Sequence, residues 1–317
     1  CSNMCHESSG VALSESIGIE KGTVKLSCFE KADLILVIGQ NPGTNHPRML
    51  TALAACKENG GSVVSINPLE ETAMKRFKHP QNPLHLIGRG VQIADEHLPV
   101  RIGGDAALLQ GFAKTILSQG GADLDFISAN TLGFEDWKKH IESTDWEKIV
   151  EQSGISRDRI EKTGNAIAKS ERMIVCWAMG LTQHENSVAV IQEVSNLLLA
   201  GGHFGKPGAG ACPVRGHSNV QGDRTVGVNH HPTEDFISSC ERETGINMPR
   251  KKGYDVVEFI HAALQGRVRT FMALGGNLVS AMSDTERVAK AISNIDLTVQ
   301  ISTKLNRSHL ILSLIHI

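Results

Sequence analysis

The chain has 317 residues, of which 40% are hydrophobic and 21% are charged, and its formal net charge is −2 at pH 7. This composition is ordinary for a globular protein of roughly two domains, and it argues against a nucleic-acid-binding protein, which would usually carry a basic face. No run approaches the roughly 18 apolar residues of a membrane span. The seven cysteines lack the paired spacing of zinc sites, which favours free or catalytic thiols in a reducing, cytoplasmic compartment.

The chain is predicted to open with a loop, followed by a polar, glycine-punctuated segment through Gly22, and the first clear element comes after it. Residues 32–42, ADLILVIGQNP, form a continuous apolar run closed by Gly-Gln-Asn-Pro, which predicts a buried parallel strand. A helix is predicted over 48–60, because apolar residues recur at helical spacing and two glycines stop it. Residues 62–68, SVVSINP, predict a second strand. Strand, helix and strand in succession indicate a βαβ unit, hence a parallel sheet with a right-handed crossover.

The same design recurs later in the chain. Residues 129–170 are predicted to be helical, whereas 205–227 is rich in glycine and predicts a functional loop without regular structure. Further strand-then-glycine runs and helices are predicted in 173–186, 188–202, 254–267, 268–277, 283–295 and 296–309. Because the strand–glycine–helix unit appears at least three times, the sequence predicts Rossmann-like α/β architecture, with a ligand site built from the loops at the strand ends.

Several residues could carry chemistry by residue type alone. Cys5 is followed at once by His6, and an adjacent imidazole can help a thiol to ionise into a nucleophile or metal ligand, although such a dipeptide is more often incidental. Arg215 lies among glycines and amides, where a guanidinium can pair with a phosphate or carboxylate. The alternative for this segment is a surface loop with solvated charges.

Polar residues also lie at predicted strand ends, where ligands of parallel sheets bind. Gly39, Asn41 and Asn67 occupy such positions, and the alternative is that the asparagines are simply turn residues. Asp105 begins a predicted helix, so it is either the N-cap or an acceptor for a guanine edge. The dinucleotide fingerprint GxGxxG is absent from the first turn, GQNPGTNHP, so plain NAD binding is not supported.

Seven motifs together carry a family resemblance. They are CSNMCH, GQNPGTNHP, the strand ending at Asn67, GGDAALL, WAMGLTQ, GKPGAGACPVRGHSNVQGD and LGGN. In this order they resemble the molybdopterin-guanine-dinucleotide oxidoreductases of the dimethylsulfoxide reductase superfamily. The chain is most similar to the formate dehydrogenase alpha-subunit group, and within it to the branch associated with acid resistance. The resemblance covers residues 1–311.

The resemblance implies a cofactor and a set of site residues. In that family two pterin guanine dinucleotides hold molybdenum, and a protein cysteine supplies a further ligand, a position that Cys5 matches. His6 matches the neighbouring histidine of formate dehydrogenases, and Arg215 matches the active-site arginine that orients a carboxylate substrate. The cofactor-binding residues implied by the resemblance are Gly39, Asn41, His46, Asn67, Asp105, Met179, Gly180, Gln183, Gly216, Asn219 and Gln221.

The resemblance also implies a domain organisation and partners. Residues 1–214 would form a Rossmann-like domain with the metal-ligand loop, and 215–311 would be part of a second such domain. A 4Fe-4S cluster is expected upstream of Cys1, with a small-molecule substrate and an electron-transfer partner that the sequence does not identify. Residues 312–317, LSLIHI, match a back-translated sequencing adapter and are interpreted as an artefact, with a genuine buried strand as the alternative. Position 67 is Asn where an acid often contacts the guanine, so that contact is either in doubt or is made through the amide oxygen.

Two other classes of protein stay open from the sequence. One is a nicotinamide-dependent Rossmann oxidoreductase with Cys5 as nucleophile, which micromolar NADH binding would support. The other is a non-catalytic binding or assembly protein that retains the fold, although Cys5, His6 and Arg215 argue against it. Because the upstream cysteine cluster and a C-terminal domain are expected but absent from this chain, we expect the fragment itself to be inactive.

Overall fold

The computed structural model describes residues 4–311, so the adapter-like tail 312–317 and the first three residues of the CSNMCH motif lie outside the described part. The chain divides into two compact units, a first unit of Cys5–Gln221 and a second unit that begins at Gly222 and includes Met4. The assignment of family domains to 1–214 and 215–311 stays a prediction.

The first unit is built on a five-stranded parallel sheet with the strand order β3-β2-β1-β4-β5. Its strands are β1 (Leu34–Ile38), β2 (Ser62–Ile66), β3 (Glu96–Leu98), β4 (Met173–Trp177) and β5 (Gly210–Pro213). The predicted α/β class with a parallel sheet is thereby confirmed. Since the chain crosses from β3 on one edge to β4 beside β1, the strand order reverses next to β1, and ligands of such sheets bind at the reversal.

The helices follow in chain order. The first six are α1 (Glu7–Ile17), α2 (Pro42–Asn45), α3 (Met49–Glu58), α4 (Thr72–Lys75), α5 (Pro83–Ile87) and α6 (Asp105–Ser118). They are followed by α7 (Leu124–Asn130), α8 (Phe134–Ser143), α9 (Trp146–Ser153), α10 (Arg157–Lys169), α11 (Met179–Thr182), α12 (Ser187–Ala200) and α13 (Val220–Thr225). A 3₁₀ helix covers Leu26–Lys31. No helix within residues 4–311 is long and apolar enough to cross a membrane.

Both faces of the sheet are buried, which explains the uninterrupted apolar strands. Alternate residues of β1 point to opposite faces. Leu36 belongs to a core that includes Phe112 of α6 and Leu198 of α12. Ile35 belongs to the opposite core, with Leu53 of α3. The sheet is therefore fixed from both sides, and only its edges and strand ends are available to a ligand.

Two predictions about regular structure were wrong. The opening segment was predicted to be a polar loop, but α1 runs directly from the Cys5-His6 dipeptide and ends at Gly18, which has a left-handed φ of 75°. Its buried face is made largely of small and polar residues, among them Ser9 and Ala12, so the hydrophobic period is weak. The glycine-rich stretch 205–227 was predicted to lack regular structure, but it contains β5 and α13.

The second unit contains a parallel pair of strands, β6 (Thr270–Leu274) and β7 (Leu297–Ile301). Its helices are α14 (Glu234–Thr244), α15 (Val256–Leu264), α16 (Leu278–Ala281) and α17 (Thr285–Ser293), with a 3₁₀ helix at Arg307–Leu310. Residues of α15 and α17 form a small core, and Ile260, Val288 and Ile292 lie at its centre. This is the strand–helix–strand unit that the sequence predicts for this region.

Candidate functional site

The residues that the resemblance singles out lie in the first unit, and most follow the carboxyl ends of its strands. Gly39 and Asn41 follow β1, Asn67 follows β2, and Met179 follows β4. Arg215, Gly216, Asn219 and Gln221 follow β5. Parallel strands present their carboxyl ends at one edge of the sheet, so these residues share the edge at which such folds bind ligands.

The Cys5 thiol lies beside the turn that follows β4. Its Sγ is 3.5 Å from Sδ of Met179, and Gln183 Nε2 donates a hydrogen bond of 3.2 Å to the carbonyl oxygen of Cys5. Cys5 is half-buried and Met179 is exposed. The fold thus brings together three predicted site residues from sequence positions more than 170 apart, and it leaves the thiol accessible to a ligand.

The side chain of the neighbouring His6 is fixed by a buried chain of hydrogen bonds. Trp177 Nε1 donates to Ser9 Oγ at 2.9 Å, and Ser9 Oγ lies 2.9 Å from His6 Nδ1. An indole only donates, so the serine hydroxyl can donate onward to Nδ1, and in that tautomer the imidazole proton lies on Nε2. His6 is only 2% exposed, and its Nε2 has no hydrogen-bond partner of ordinary geometry. A buried donor of this kind indicates a group that binds there.

The imidazole of His6 is kept neutral by its surroundings. Burial is the main cause that lowers the pKa of His6 to about 4, and the charge of Arg215 lowers it further. The Val214 backbone opposes this shift in pKa, and His46 adds slightly to it. His6 therefore remains uncharged near neutral pH.

Arg215 is buried beside this histidine. It is 5% exposed, and its Nη2 donates to the carbonyl oxygen of Glu20 at 3.0 Å. His46 Nε2 lies 3.2 Å from the carbonyl oxygen of Arg215, and Gln40 Nε2 lies 3.5 Å from His46 Nδ1. Because the amide donates to Nδ1, His46 can donate from Nε2 and so fix the Arg215 backbone. A buried guanidinium next to a neutral imidazole suits an anionic ligand.

Asn41 and Asn67, which follow β1 and β2, both form hydrogen bonds with the carboxylate of Glu71. Asn41 Nδ2 donates to Glu71 Oε2 at 2.6 Å, and Asn67 Nδ2 lies 3.3 Å from Glu71 Oε1. Asn41 also caps α2 by accepting from the backbone N–H of Thr44 at 3.1 Å. Asn41 is therefore a turn residue, as the alternative interpretation predicts. Only its amide oxygen serves the turn, and its Nδ2 is left to bind Glu71. Glu71 was not predicted, because its only signal in the sequence is an acidic pair a few residues after a strand end.

Asp105 is placed differently from the expected N-cap. Gly104 occupies the N-cap position of α6, and Asp105 is the first helical residue, without a side-chain capping bond. Its carboxyl group is 6% exposed, and burial raises its pKa from 3.8 to about 6, with the nearby His184 acting in the opposite direction. The carboxyl group of Asp105 therefore does not cap the helix, and perturbed, buried acids of this kind concentrate at functional sites.

Replacing Asp105 by Asn is expected to make the protein more stable near neutral pH. The pKa of Asp105 is raised in the folded state, so the protonated carboxyl group favours folding. Its contribution to the free energy of unfolding is fully present below about pH 4 and is lost as the pH rises through about 6. The stability gain of Asp105→Asn should therefore grow over this window, to about 3 kcal/mol at most. Urea unfolding of both proteins between pH 4 and 8 measures it, and a pH-independent difference would contradict it.

Gly39 and Gly180 have a structural role that the sequence did not reveal. The turns after β1 and β4 touch backbone to backbone, and Gly180 N donates to Gly39 O at 3.0 Å. A Cβ on Gly39 would lie 2.7 Å from Cα of Gly180, and one on Gly180 would lie 2.7 Å from O of Gly39. Both positions require glycine, because these distances are shorter than any normal carbon contact.

The remaining predicted residues follow β5. Gly216 and Asn219 are exposed. Gln221 Oε1 accepts a bond of 3.3 Å from the backbone N–H of Gly22, which ties this segment to the chain after α1. They lie at the accessible side of the strand-end edge, where a ligand can reach them.

Comparisons with known proteins identify the family of this site. Residues 2–312 match the family described as molybdopterin oxidoreductase. The chain is 47% identical over 98% of its length to an uncharacterized oxidoreductase of Mycobacterium tuberculosis, of which it covers 41%. It is 44% identical to protein YdeP of Escherichia coli, over 98% of this chain and 42% of that protein. With formate dehydrogenase H of Escherichia coli it shares 27% identity over 94% of this chain and 41% of that protein.

A solved structure is similar in fold. Acetylene hydratase from Pelobacter acetylenicus has a TM-score of 0.68 and 19% identity, and the match covers 93% of this chain and 41% of that one. This likeness concerns the fold alone. The chain thus spans about two fifths of the length of these relatives. From the match over nearly its whole length, the chain belongs to the molybdopterin oxidoreductase family.

Proposed function

We propose that the full-length protein is a molybdenum-dependent oxidoreductase with two-electron chemistry at a bis(molybdopterin guanine dinucleotide) centre and a formate-like carboxylate as substrate. The observation that supports it most directly is the grouping at one strand-end edge of an accessible thiol, a buried neutral imidazole and a buried guanidinium. These belong to Cys5, His6 and Arg215. The relatives named above that are oxidoreductases or dehydrogenases support the same class of reaction.

The side chains around Cys5 fit the implied metal group. A thiolate is a soft ligand suited to a metal in a sulfur-rich shell, and Met179 Sδ adds a second soft atom 3.5 Å away. The orphaned Nε2 of His6 offers a hydrogen-bond donor from a buried position. Further contacts to the dinucleotides would come from the strand-end residues, including Asn41, Asn67 and Asp105.

Each of the three central residues has a defined task in this proposal. When bound, the molybdenum centre would supply the capacity to accept or release two electrons. Cys5 would bind the metal as a thiolate. Arg215 would hold the substrate carboxylate with two parallel hydrogen bonds and stabilise negative charge. His6 would hold a proton at Nε2 and donate it in a hydrogen bond to a substrate oxygen.

The parts of the full-length protein outside this chain complete the proposal. By resemblance, a 4Fe-4S cluster upstream of Cys1 would pass electrons to a redox partner, and the protein would act in the cytoplasm in acid resistance. Residues 215–311 would be part of a second Rossmann-like domain, which further strands would extend. The exposed apolar residues Met272, Leu274 and Ile301 on the strands of the second unit support this extension. A sheet of only two strands is marginally stable by itself, and further strands would bury such residues.

Formate-dependent dye reduction tests the proposed substrate class. The full-length protein, purified without oxygen, is expected to reduce a viologen dye with formate, and Arg215→Gln should lower kcat/KM for formate by about 100-fold, since a charge-assisted pair is lost. Arg172→Gln is the matched control, because Arg172 is an exposed arginine at the opposite end of β4. Formate turnover that is insensitive to Arg215→Gln would refute the assigned role of this arginine.

A further inference from the structure

One carboxylate at the strand-end edge has an unusual setting. Glu71 precedes the short helix α4 and is half-buried. Its two oxygens each accept from a different asparagine, Oε2 from Asn41 at 2.6 Å and Oε1 from Asn67 at 3.3 Å. The two amides follow neighbouring parallel strands, β1 and β2. Glu71 therefore sits where two strand ends meet.

The two amides fix the carboxylate in position. Asn41 cannot rotate freely, because its Oδ1 is occupied by the N–H of Thr44. Asn67 Nδ2 also lies 3.4 Å from the carbonyl oxygen of Gln40. An ionised carboxylate can accept about four hydrogen bonds, and two of these positions are filled by the amides. One acceptor position on each oxygen is left, so the group can still receive a pair of parallel N–H donors.

We infer that Glu71 is the acceptor for a 2-amino-4-oxopyrimidine edge of the cofactor, the donor pair that guanine and the pterin ring share. This rests on the proposed function. That edge carries a ring N–H beside an amino group, and a carboxylate accepts from both. A neutral amide such as Asn67 has a single acceptor oxygen and cannot do so. Cytosine and adenine lack the adjacent pair of donors, so the carboxylate selects against them.

Glu71 can take the place of the acid that is missing at position 67. The acid that often contacts the guanine is absent there, but Glu71 brings a carboxylate into hydrogen-bond reach of the same residue. Its neighbour Glu70 is unsuited to this role, because it is exposed and its Oε2 pairs with Lys75 Nζ at 2.6 Å. Substitution of Glu71 by Gln therefore tests the inference. The same substitution at Glu70 is the matched control, because it removes one negative charge at the neighbouring position.

Calorimetric titration of the full-length apoprotein, produced in a host that cannot make the cofactor, tests the inference. The probes are GDP, IDP, which lacks only the 2-amino group, and 6-hydroxymethylpterin. Wild type and Glu70→Gln are expected to bind GDP about tenfold or more tightly than IDP, because IDP leaves one charged acceptor unpaired. Glu71→Gln should reduce this preference to about twofold or less. Circular dichroism checks that both variants fold.

Each outcome has a distinct meaning. If 6-hydroxymethylpterin rather than GDP loses affinity in Glu71→Gln, the edge is that of the pterin and the role of Glu71 stands. A wild-type protein that does not distinguish GDP from IDP and binds no pterin overturns the inference, as does a preference that survives Glu71→Gln. These results leave the proposed function standing if the loaded wild-type protein contains molybdenum and pterin. A full-length protein that never contains them would remove the proposed function itself.

Discussion

Replacing Cys5 by Ser is expected to abolish turnover of the full-length protein while leaving its fold intact. Serine has nearly the shape of cysteine, but its hydroxyl group does not ionise near neutral pH and is a hard ligand. The expected loss is on the order of 1,000-fold or more, as for removal of a group at the centre of the chemistry. X-ray absorption at the molybdenum edge should show one sulfur ligand fewer, and dye reduction measures the activity.

A second cysteine supplies the control for this substitution. Cys28 is also half-buried, but it lies in the 3₁₀ helix before β1 and away from the strand ends. Cys28→Ser should therefore keep both activity and the number of sulfur ligands. Turnover like wild type in the Cys5→Ser protein would rule out Cys5 as the metal ligand.

Replacing Gly180 by Ala is expected to cause the largest loss of stability at the site. The added methyl group would meet the backbone of Gly39, 2.7 Å from its carbonyl oxygen. Backbone in a tight turn cannot move aside as a flexible side chain can, so the turns after β1 and β4 must separate. We expect the free energy of unfolding to fall by about 3 kcal/mol, at the upper end of the usual cost of overpacking.

Urea unfolding followed by tryptophan fluorescence measures this effect, since Trp137, Trp146 and Trp177 all lie in the first unit. Gly216→Ala is the control, because a Cβ there would have no neighbour within 4 Å. Its stability should change by about 0.5 kcal/mol or less. Equal effects at the two glycines would show that the contact with Gly39 does not constrain the site.

The strength of local patterns decided which elements could be predicted. β1 and β4 are continuous apolar runs with every residue buried, so their type and environment follow from sequence. α1 was missed because its buried positions include Ser9, Gly10 and Ala12, which give little hydrophobic period. β5 was missed because Gly210–Pro213 resembles a turn in composition, and the proline is tolerated on an edge strand.

The same limit applies to the site. Motifs along the chain indicated Cys5, His6 and Arg215, but a sequence carries no statement of which side chains meet in space. The bond between Ser9 and Trp177 joins residues 168 positions apart, and Glu71 is recognisable only once both strand ends are in place. Such partners depend on the tertiary fold and not on local spacing.

The metal and pterin content of the full-length protein, purified without oxygen, tests whether it is a molybdenum enzyme. We expect about one molybdenum and about two pterin guanine dinucleotides per chain, because the strand-end residues would hold such a cofactor and the cofactor would carry the redox chemistry. Protein free of molybdenum and pterin, from a host that loads other molybdoenzymes, would contradict it. That result would favour a binding or assembly protein that keeps the fold without the catalysis.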